Sequence, residues 1–278
     1  MRAVDTLHLG RRRWICCWQV GQVLVDPGPT LSLERVLAEL DGFEPQAILL
    51  THIHFDHAGG TGALMRRFPA LEVYVHERGA PHMVNPERLW ASAAKLYGED
   101  RMLAMWGEFV PVPEDRLHAL SGGETLRFGG DSFEVAYTPG HAKHHVSYLH
   151  DGTAFVGDVG GVRIEEGTPT LPPTPPPDID IEAWHRSLEL LRAWRPERLA
   201  ITHFGAYEDP LRQLDELSQR LDRWAQSARA GDREGWIAAV QADVRAAVSA
   251  AAFDSFMAAV PVDQAYAGLR RYWDTRGE

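Results

Sequence analysis

The segment Thr51-His52-Ile53-His54-Phe55-Asp56-His57 places three histidines and an aspartate within six residues. One buried histidine satisfied by a carbonyl is ordinary, but four donors on one short loop are costly to explain as packing. Neutral imidazole nitrogens and a carboxylate oxygen suit Zn²⁺, Mn²⁺ or Fe²⁺. His52 and His54 are two residues apart, so in an extended segment they project to one side. Asp56 and His57 follow a turn and can face a second ion. Further candidates stand downstream: His141 in Tyr137-Thr138-Pro139-Gly140-His141, Asp158 in Phe155-Val156-Gly157-Asp158, and His203 in Ile201-Thr202-His203-Phe204-Gly205. Two divalent ions sharing a water draw its pKa towards neutrality and polarise the oxygen of a group under attack, which is the chemistry of hydrolysis. The serine-nucleophile elbow Gly-x-Ser-x-Gly is missing, as are the nucleotide-binding Gly-x-Gly-x-x-Gly and Walker patterns.

Each candidate closes a strand signal. Gln22-Val23-Leu24-Val25 ends at the turn cluster Asp26-Pro27-Gly28-Pro29, and Ala47-Ile48-Leu49-Leu50 is a continuous apolar run of the kind covered on both faces. Residues 71–75, 133–137, 146–149, 153–156 and 198–202 read as further strands. Ligands gathered at the ends of neighbouring strands are how open α/β sheets build sites. Ser32 is placed to cap a helix with Leu33, Val36, Leu37 and Leu40 on one face, and Asp180 one with Trp184, Leu188 and Leu191. Residues 81–118 break the rhythm with helical spacing at Leu89, Ala93 and Leu96 and an apolar cluster from Met102 to Trp106. They read as a cover for the core, a dimer contact or a lid over the site. The prolines between 169 and 177 predict an extended surface loop. Beyond residue 208 the spacing of Leu211, Leu214, Leu217, Leu221 and Trp224 is helical. The organisation expected is a catalytic domain over 1–206, with the 81–118 insertion, and a helical extension over 207–278.

The order His-x-His-x-Asp-His, Gly-His, Gly-Asp and a last histidine resembles the metallo-β-lactamase superfamily over about residues 4–205. That resemblance implies an α/β fold, a four-layer αββα sandwich with metals along one edge. It implies that His52, His54 and His141 hold one metal, that Asp56, His57 and His203 hold another, and that Asp158 bridges them. Asp26 falls where the family often orients a ligand histidine, and is equally placed to be a simple turn former. Residues 51–60 are similar to the glyoxalase II branch, while 140–147 and the proline-rich stretch are closer to members named by fold alone. The implied protein is a dinuclear-metal hydrolase of a thioester, lactone or ester, using a bridging hydroxide, with Asp56 as the catalytic proton carrier. Zinc is the metal expected, with iron or manganese as alternatives. The second metal site lacks the cysteine of the commonest zinc β-lactamases, and the helical tail lacks a basic cluster for glutathione. Lys143 is a candidate partner for a substrate carboxylate, and His145 and Tyr97 are candidate oxyanion contacts. The competing readings are a sulfur dioxygenase with one iron on His52, His54 and His141, a phosphodiesterase or tRNA-processing nuclease, and a non-catalytic metal-stabilised binding protein.

Composition argues against nucleic acid as a partner, and with the resemblance a small-molecule substrate is expected. Over 278 residues, 28 basic against 39 acidic side chains leave a net charge of −11, the wrong sign for a general grip on nucleic acid. At 45% hydrophobic residues the chain can bury a large core without staples. Cys16 and Cys17 are adjacent, so on a strand they face opposite sides and cannot bridge each other. With no signal-like stretch and no eighteen consecutive apolar residues, a cytoplasmic protein without a membrane span is expected. The apolar second part of the insertion and the helical tail are candidate surfaces for a homodimer.

Overall fold

The computed structural model describes residues 1–277, apart from the side chains of Leu96 and Tyr97. Two six-stranded sheets face each other. The first runs β1 (Arg2–Asp5), β2 (Cys16–Val20), β3 (Val23–Val25), β4 (Ala47–Leu49), β5 (Glu72–His76) and β6 (Leu117–Leu120), side by side in chain order. The second contains β7 (Thr125–Phe128), β8 (Asp131–Tyr137), β9 (Val146–His150), β10 (Thr153–Phe155), β11 (Arg198–Ile201) and β12 (Gly205–Tyr207), also adjacent in order. The helices are α1 (Leu33–Glu39), α2 (Phe55–Ala58), α3 (Thr61–Arg67), α4 (Ala80–Val84), α5 (Glu87–Tyr97), α6 (Glu99–Trp106), α7 (Ile181–Ala193), α8 (Pro210–Arg229), α9 (Arg233–Ala247), α10 (Ala250–Ala259) and α11 (Val262–Asp274).

Strand alternation divides the apolar side chains into three cores, the signature of four layers. Val23, Val25, Ala47 and Leu49 point inward to meet Phe133, Tyr148 and Phe155 of the second sheet. Leu24 and Ile48, from the same two strands, point outward under α1 and α3. The outer face of the second sheet, through Ala154, Leu199 and Ile201, packs with α7 and all four C-terminal helices in one continuous cluster. Cys16 enters the core between the sheets and Cys17 the outer core, and both are free thiols.

Strand direction gathers the candidate residues at one edge. β3 and β4 are parallel, so Asp26 and the His52–His57 loop leave the first sheet at the same end. β10 and β11 are parallel, and β8 runs with them because two antiparallel pairings separate it from β10. The segments carrying His141, Asp158 and His203 therefore leave the second sheet together. Bonds between the sheets hold that edge in register: Val146 N–H donates to Thr51 O at 2.8 Å, Cys16 N–H to Thr202 O at 2.8 Å, and Tyr148 Oη–H to Leu50 O at 2.8 Å.

Two local expectations need correction. Ser32 precedes α1 but does not cap it, because its hydroxyl is 2.9 Å from Nδ1 of buried His8. Asp180 does cap α7, accepting from Ala183 N–H at 2.9 Å. The proline-rich stretch is a surface loop only in part: Leu171, Pro172, Pro173 and Thr174 are buried, while Pro169, Pro175 and Pro176 are half-buried and Pro177 is exposed. Thr174 Oγ1–H donates to Ala265 O of α11 at 3.1 Å, so the C-terminal helices cover the buried part of the stretch.

Candidate metal centre

The seven motif residues converge. Their ligand atoms form two groups, His52, His54, His141 and Asp158 in one and Asp56, His57 and His203 in the other, with the atoms of each group within 4.8 Å of one another. Asp158 faces both ways. Its Oδ2 lies 3.2 Å from His141 Nε2, and its Oδ1 lies 3.2 Å from His57 Nε2 and 3.6 Å from His203 Nε2. Asp56 Oδ2 stands 3.3 Å from His203 Nε2.

Outer hydrogen bonds set which imidazole nitrogen faces the centre. Nδ1–H of His141 donates to Pro173 O at 2.8 Å, that of His203 to Trp14 O at 2.6 Å, and that of His57 to Asp26 Oδ2 at 2.8 Å. His52 Nδ1 is 3.1 Å from Thr51 Oγ1, whose own proton goes to Asp26 at 2.6 Å, so this imidazole is also the donor. All four thus turn Nε2 toward the centre as the nitrogen free to ligate. Asp26 organises the loops as well as His57. It accepts from Thr51 N–H at 2.8 Å and from Thr202 Oγ1–H at 2.8 Å, binding the two loops on either side of the centre to one buried carboxylate. Its backbone is left-handed, with φ 49°, a conformation that aspartate tolerates better than most residues.

A cation is what this arrangement lacks in protein atoms. His52 Nε2 and His141 Nε2 each lie 3.0 Å from His54 Nδ1, and a single proton on His54 cannot satisfy both lone pairs. His57 Nε2 and Asp158 Oδ1 face each other at 3.2 Å, buried and out of good hydrogen-bond geometry with each other or with any other described group, a costly state that a shared metal ion would relieve. Burial, reinforced by neighbouring imidazoles, lowers His52 well below the usual histidine range and His54 to about 4, which keeps them neutral as a ligand must be. Burial also lowers His141. For His57 and His203 burial acts in the same direction, but Asp158 and the neighbouring carboxylates override it and raise both. Asp158 is held well below the usual carboxylate range because His57, His141 and His203 outweigh its burial. The donor set fits metal ions.

Two glycines make the approach possible. A Cβ on Gly140, at φ +143°, would fall 2.4 Å from the Trp184 backbone of α7, so only glycine lets the chain deliver His141 there. A Cβ on Gly157, at φ +42°, would fall 2.5 Å from Thr51 Oγ1, beside the Asp26 network.

A cavity of about 340 Å³ opens onto His54, Asp56 and Asp158. Its walls come from α5 and α6 of the 81–118 insertion, the proline-rich stretch, and residues 258–265 at the α10–α11 junction. The three substrate candidates are not brought together. Lys143 is exposed, does not line the cavity and pairs with Asp178 at its rim, Nζ to Oδ1 3.1 Å. His145 is buried behind the centre, with Nδ1 3.0 Å from Thr138 Oγ1 and Nε2 facing Val159 N–H at 3.5 Å, so it supports the Asp158 turn and cannot reach the cavity. Tyr97 belongs to α5, and its side chain lies outside the described residues. The neighbour of His145, His144, lines the cavity instead, carried there by the turn at Lys143–His144 that precedes β9. Sequence reading also missed Arg163. Its backbone brackets His203 and Phe204, and its guanidinium grips Asp209 with bonds of 2.5 and 3.1 Å, tying the start of α8 to the last histidine. No local pattern distinguishes such an arginine from a surface one.

The model of the metallo-beta-lactamase superfamily matches residues 21–203, and the chain belongs to that superfamily. The metallo-beta-lactamase fold-containing protein ST1585 of Sulfurisphaera tokodaii is 29% identical over 215 residues, 76% of this chain and 78% of that one. The crystal structure of that archaeal protein superposes with a TM-score of 0.72 over 97% of each chain, at 23% identity, a likeness of fold. A hydroxyacylglutathione hydrolase of Xylella fastidiosa is 34% identical over 152 residues, 53% of this chain. The match spans only 46% of that enzyme's own length. The structure of TTHA1623, solved in a di-iron-bound form, superposes with a TM-score of 0.52 at 28% identity, over 70% of this chain and 89% of that one. Among the described residues, no helix is long and apolar enough to cross a membrane.

Proposed function

We propose that this protein is a dinuclear-metal-dependent hydrolase of a carboxylic derivative: a thioester, lactone or ester. The observation that carries this reading is the division of seven inward-facing donors into two groups with Asp158 presenting one oxygen to each. His52, His54 and His141 would hold one ion, Asp56, His57 and His203 the other, and Asp158 both. The histidine-rich, cysteine-free set favours zinc, with iron or manganese as alternatives. A pair of divalent ions supplies an activated water at neutral pH and an electrophile for the carbonyl oxygen.

The chain's own residues supply the rest. Asp26, Pro173 O and Trp14 O hold the imidazoles with Nε2 inward. Asp56 turns Oδ2 to His203 and also lines the cavity, so its other oxygen can take the proton of the attacking water and return it to the leaving group. The apolar walls exclude bulk water from the acyl group, which strengthens the electrostatics of the site. Two free buried cysteines fit a reducing, cytoplasmic setting.

The test is metal analysis of the purified protein with turnover of aryl thioesters, lactones, esters and phosphodiesters. We expect about two ions per chain and hydrolysis confined to carboxylic derivatives. The Asp56→Asn variant should retain at least the ion of the first group and lose about a hundredfold or more in kcat. One tightly held iron, with oxygen uptake on a persulfide and no hydrolysis, would replace this reading with the dioxygenase one.

A further inference from the structure

The cavity carries two positive charges that the metal centre does not use. Its floor is acidic and buried, with Asp56 and Asp158 facing the ligand histidines. Asp178, at the rim, is already paired with Lys143. The remaining charged side chains of the lining are two arginines, Arg88 in the first turn of α5 and Arg101 in the first turn of α6, both exposed at the mouth. Among the described residues neither has an ion-pair or hydrogen-bond partner, although the chain carries 39 acidic residues against 28 basic ones. A lone surface arginine is ordinary. Two without partners on adjacent helices, both facing one cavity between apolar walls such as Leu89, Met105 and Trp106, are not.

We propose that Arg88 and Arg101 form an anion-recognition site at the mouth of the cavity. The site reads a carboxylate or phosphate at the far end of an acyl substrate whose apolar body spans the walls and whose reacting carbonyl reaches the floor. The proposal rests on the hydrolase reading for the role of the floor. The guanidinium fork matches either anion. The negative net charge of the protein makes such a positive mouth a selective device, because anions are repelled elsewhere.

The probes are the S-phenyl monothioester of adipic acid and its terminal amide, with the matching thioethers in which CH₂ replaces the thioester carbonyl. All are tested on the metal-loaded protein. Wild type should favour the acid over the amide by about tenfold in kcat/KM, the size expected of two solvent-facing charge contacts. The Arg88→Gln/Arg101→Gln variant should bring that ratio close to one, and calorimetry should show the same loss for the thioether acid against the thioether amide. Ratios within one preparation are unaffected by a partly unfolded variant. Raising the salt should shrink the preference. A phosphonate-ended thioether separates the two anions, the tighter ligand naming the group. Equal turnover of acid and amide by wild type overturns the anion site while leaving the hydrolase reading intact. Discrimination in thioether binding without any thioester turnover overturns the hydrolase reading and supports the anion site. An acid preference that survives in the double variant shows that other residues make it and overturns the assignment.

Discussion

Replacing Asp26 by asparagine tests whether one buried carboxylate assembles the metal centre. Its two oxygens accept four bonds: Thr51 N–H on Oδ1, and Thr51 Oγ1–H, Thr202 Oγ1–H and His57 Nδ1–H on Oδ2. Asparagine offers one acceptor oxygen and an amide group that can only donate. Its best placement puts the oxygen on the threefold side and turns NH₂ against Thr51 N–H, leaving buried donors face to face at a cost of about 1–3 kcal/mol. The three remaining bonds lose their charge assistance, roughly half their strength. Relief from burying a charge offsets part of this, so a net loss of about 3 kcal/mol is expected. For a chain of this size that is a fall of roughly 6–12 °C in Tm. His57 keeps an acceptor for its Nδ1–H but loses the carboxylate charge behind it, which makes it a weaker ligand, and affinity for the ion of the second group should fall about 10–100-fold. The assays are thermal unfolding of the metal-free protein and metal competition against a chromogenic chelator. An Asp26→Asn protein with unchanged Tm and unchanged metal affinity would refute the reasoning, since no other described group takes the four protons.

Other consequences follow from the same geometry. Gly140→Ala should cost about 2–4 kcal/mol and weaken the metal bound by His141, because the new Cβ meets the backbone of α7 and not a mobile side chain; denaturant unfolding and metal titration measure both. Saturating the centre with Zn²⁺ at about a thousand times its Kd should stabilise the fold by about 4 kcal/mol over the chelated protein, raising Tm by roughly 10 °C. A chelator that leaves Tm unchanged would argue against ligation. Burial lowers His8 to about 4, while unfolding returns it to its ordinary value, so the unfolded chain takes up the proton first as pH falls. His8 therefore withdraws about 3 kcal/mol of stability between about pH 6.5 and pH 4, with its full contribution retained above that window. His8→Asn should show a shallower loss than wild type over that interval in unfolding curves recorded at each pH.

The local chemistry was legible in the sequence because it is written at short range. The apolar run Val23-Leu24-Val25, closed by the turn cluster at Asp26–Pro29, and the unbroken run at Ala47-Ile48-Leu49 marked those strands, and each is buried on both faces. The ordered motifs, each at a strand end, marked the seven donors that the fold brings together. What failed was anything depending on what lies opposite. Lys143 is paired with Asp178 and turned away from the cavity, and the turn at Lys143–His144 sends His144 to the cavity in place of His145. Ser32 had the composition of a cap but found His8 across the core.

The sequence by itself determined the donor types, their order and the strands that carry them, since these follow from side-chain chemistry and from periodicities of a few residues. Only the tertiary structure decided which nitrogen of each histidine faces inward, that Asp158 presents an oxygen to each group, and that helices more than 200 residues downstream of the His52–His57 loop wall the cavity with the α5–α6 pair. Those outcomes depend on contacts between segments remote in the chain. Direction, distance and the exclusion of water exist only once the two sheets have closed on each other.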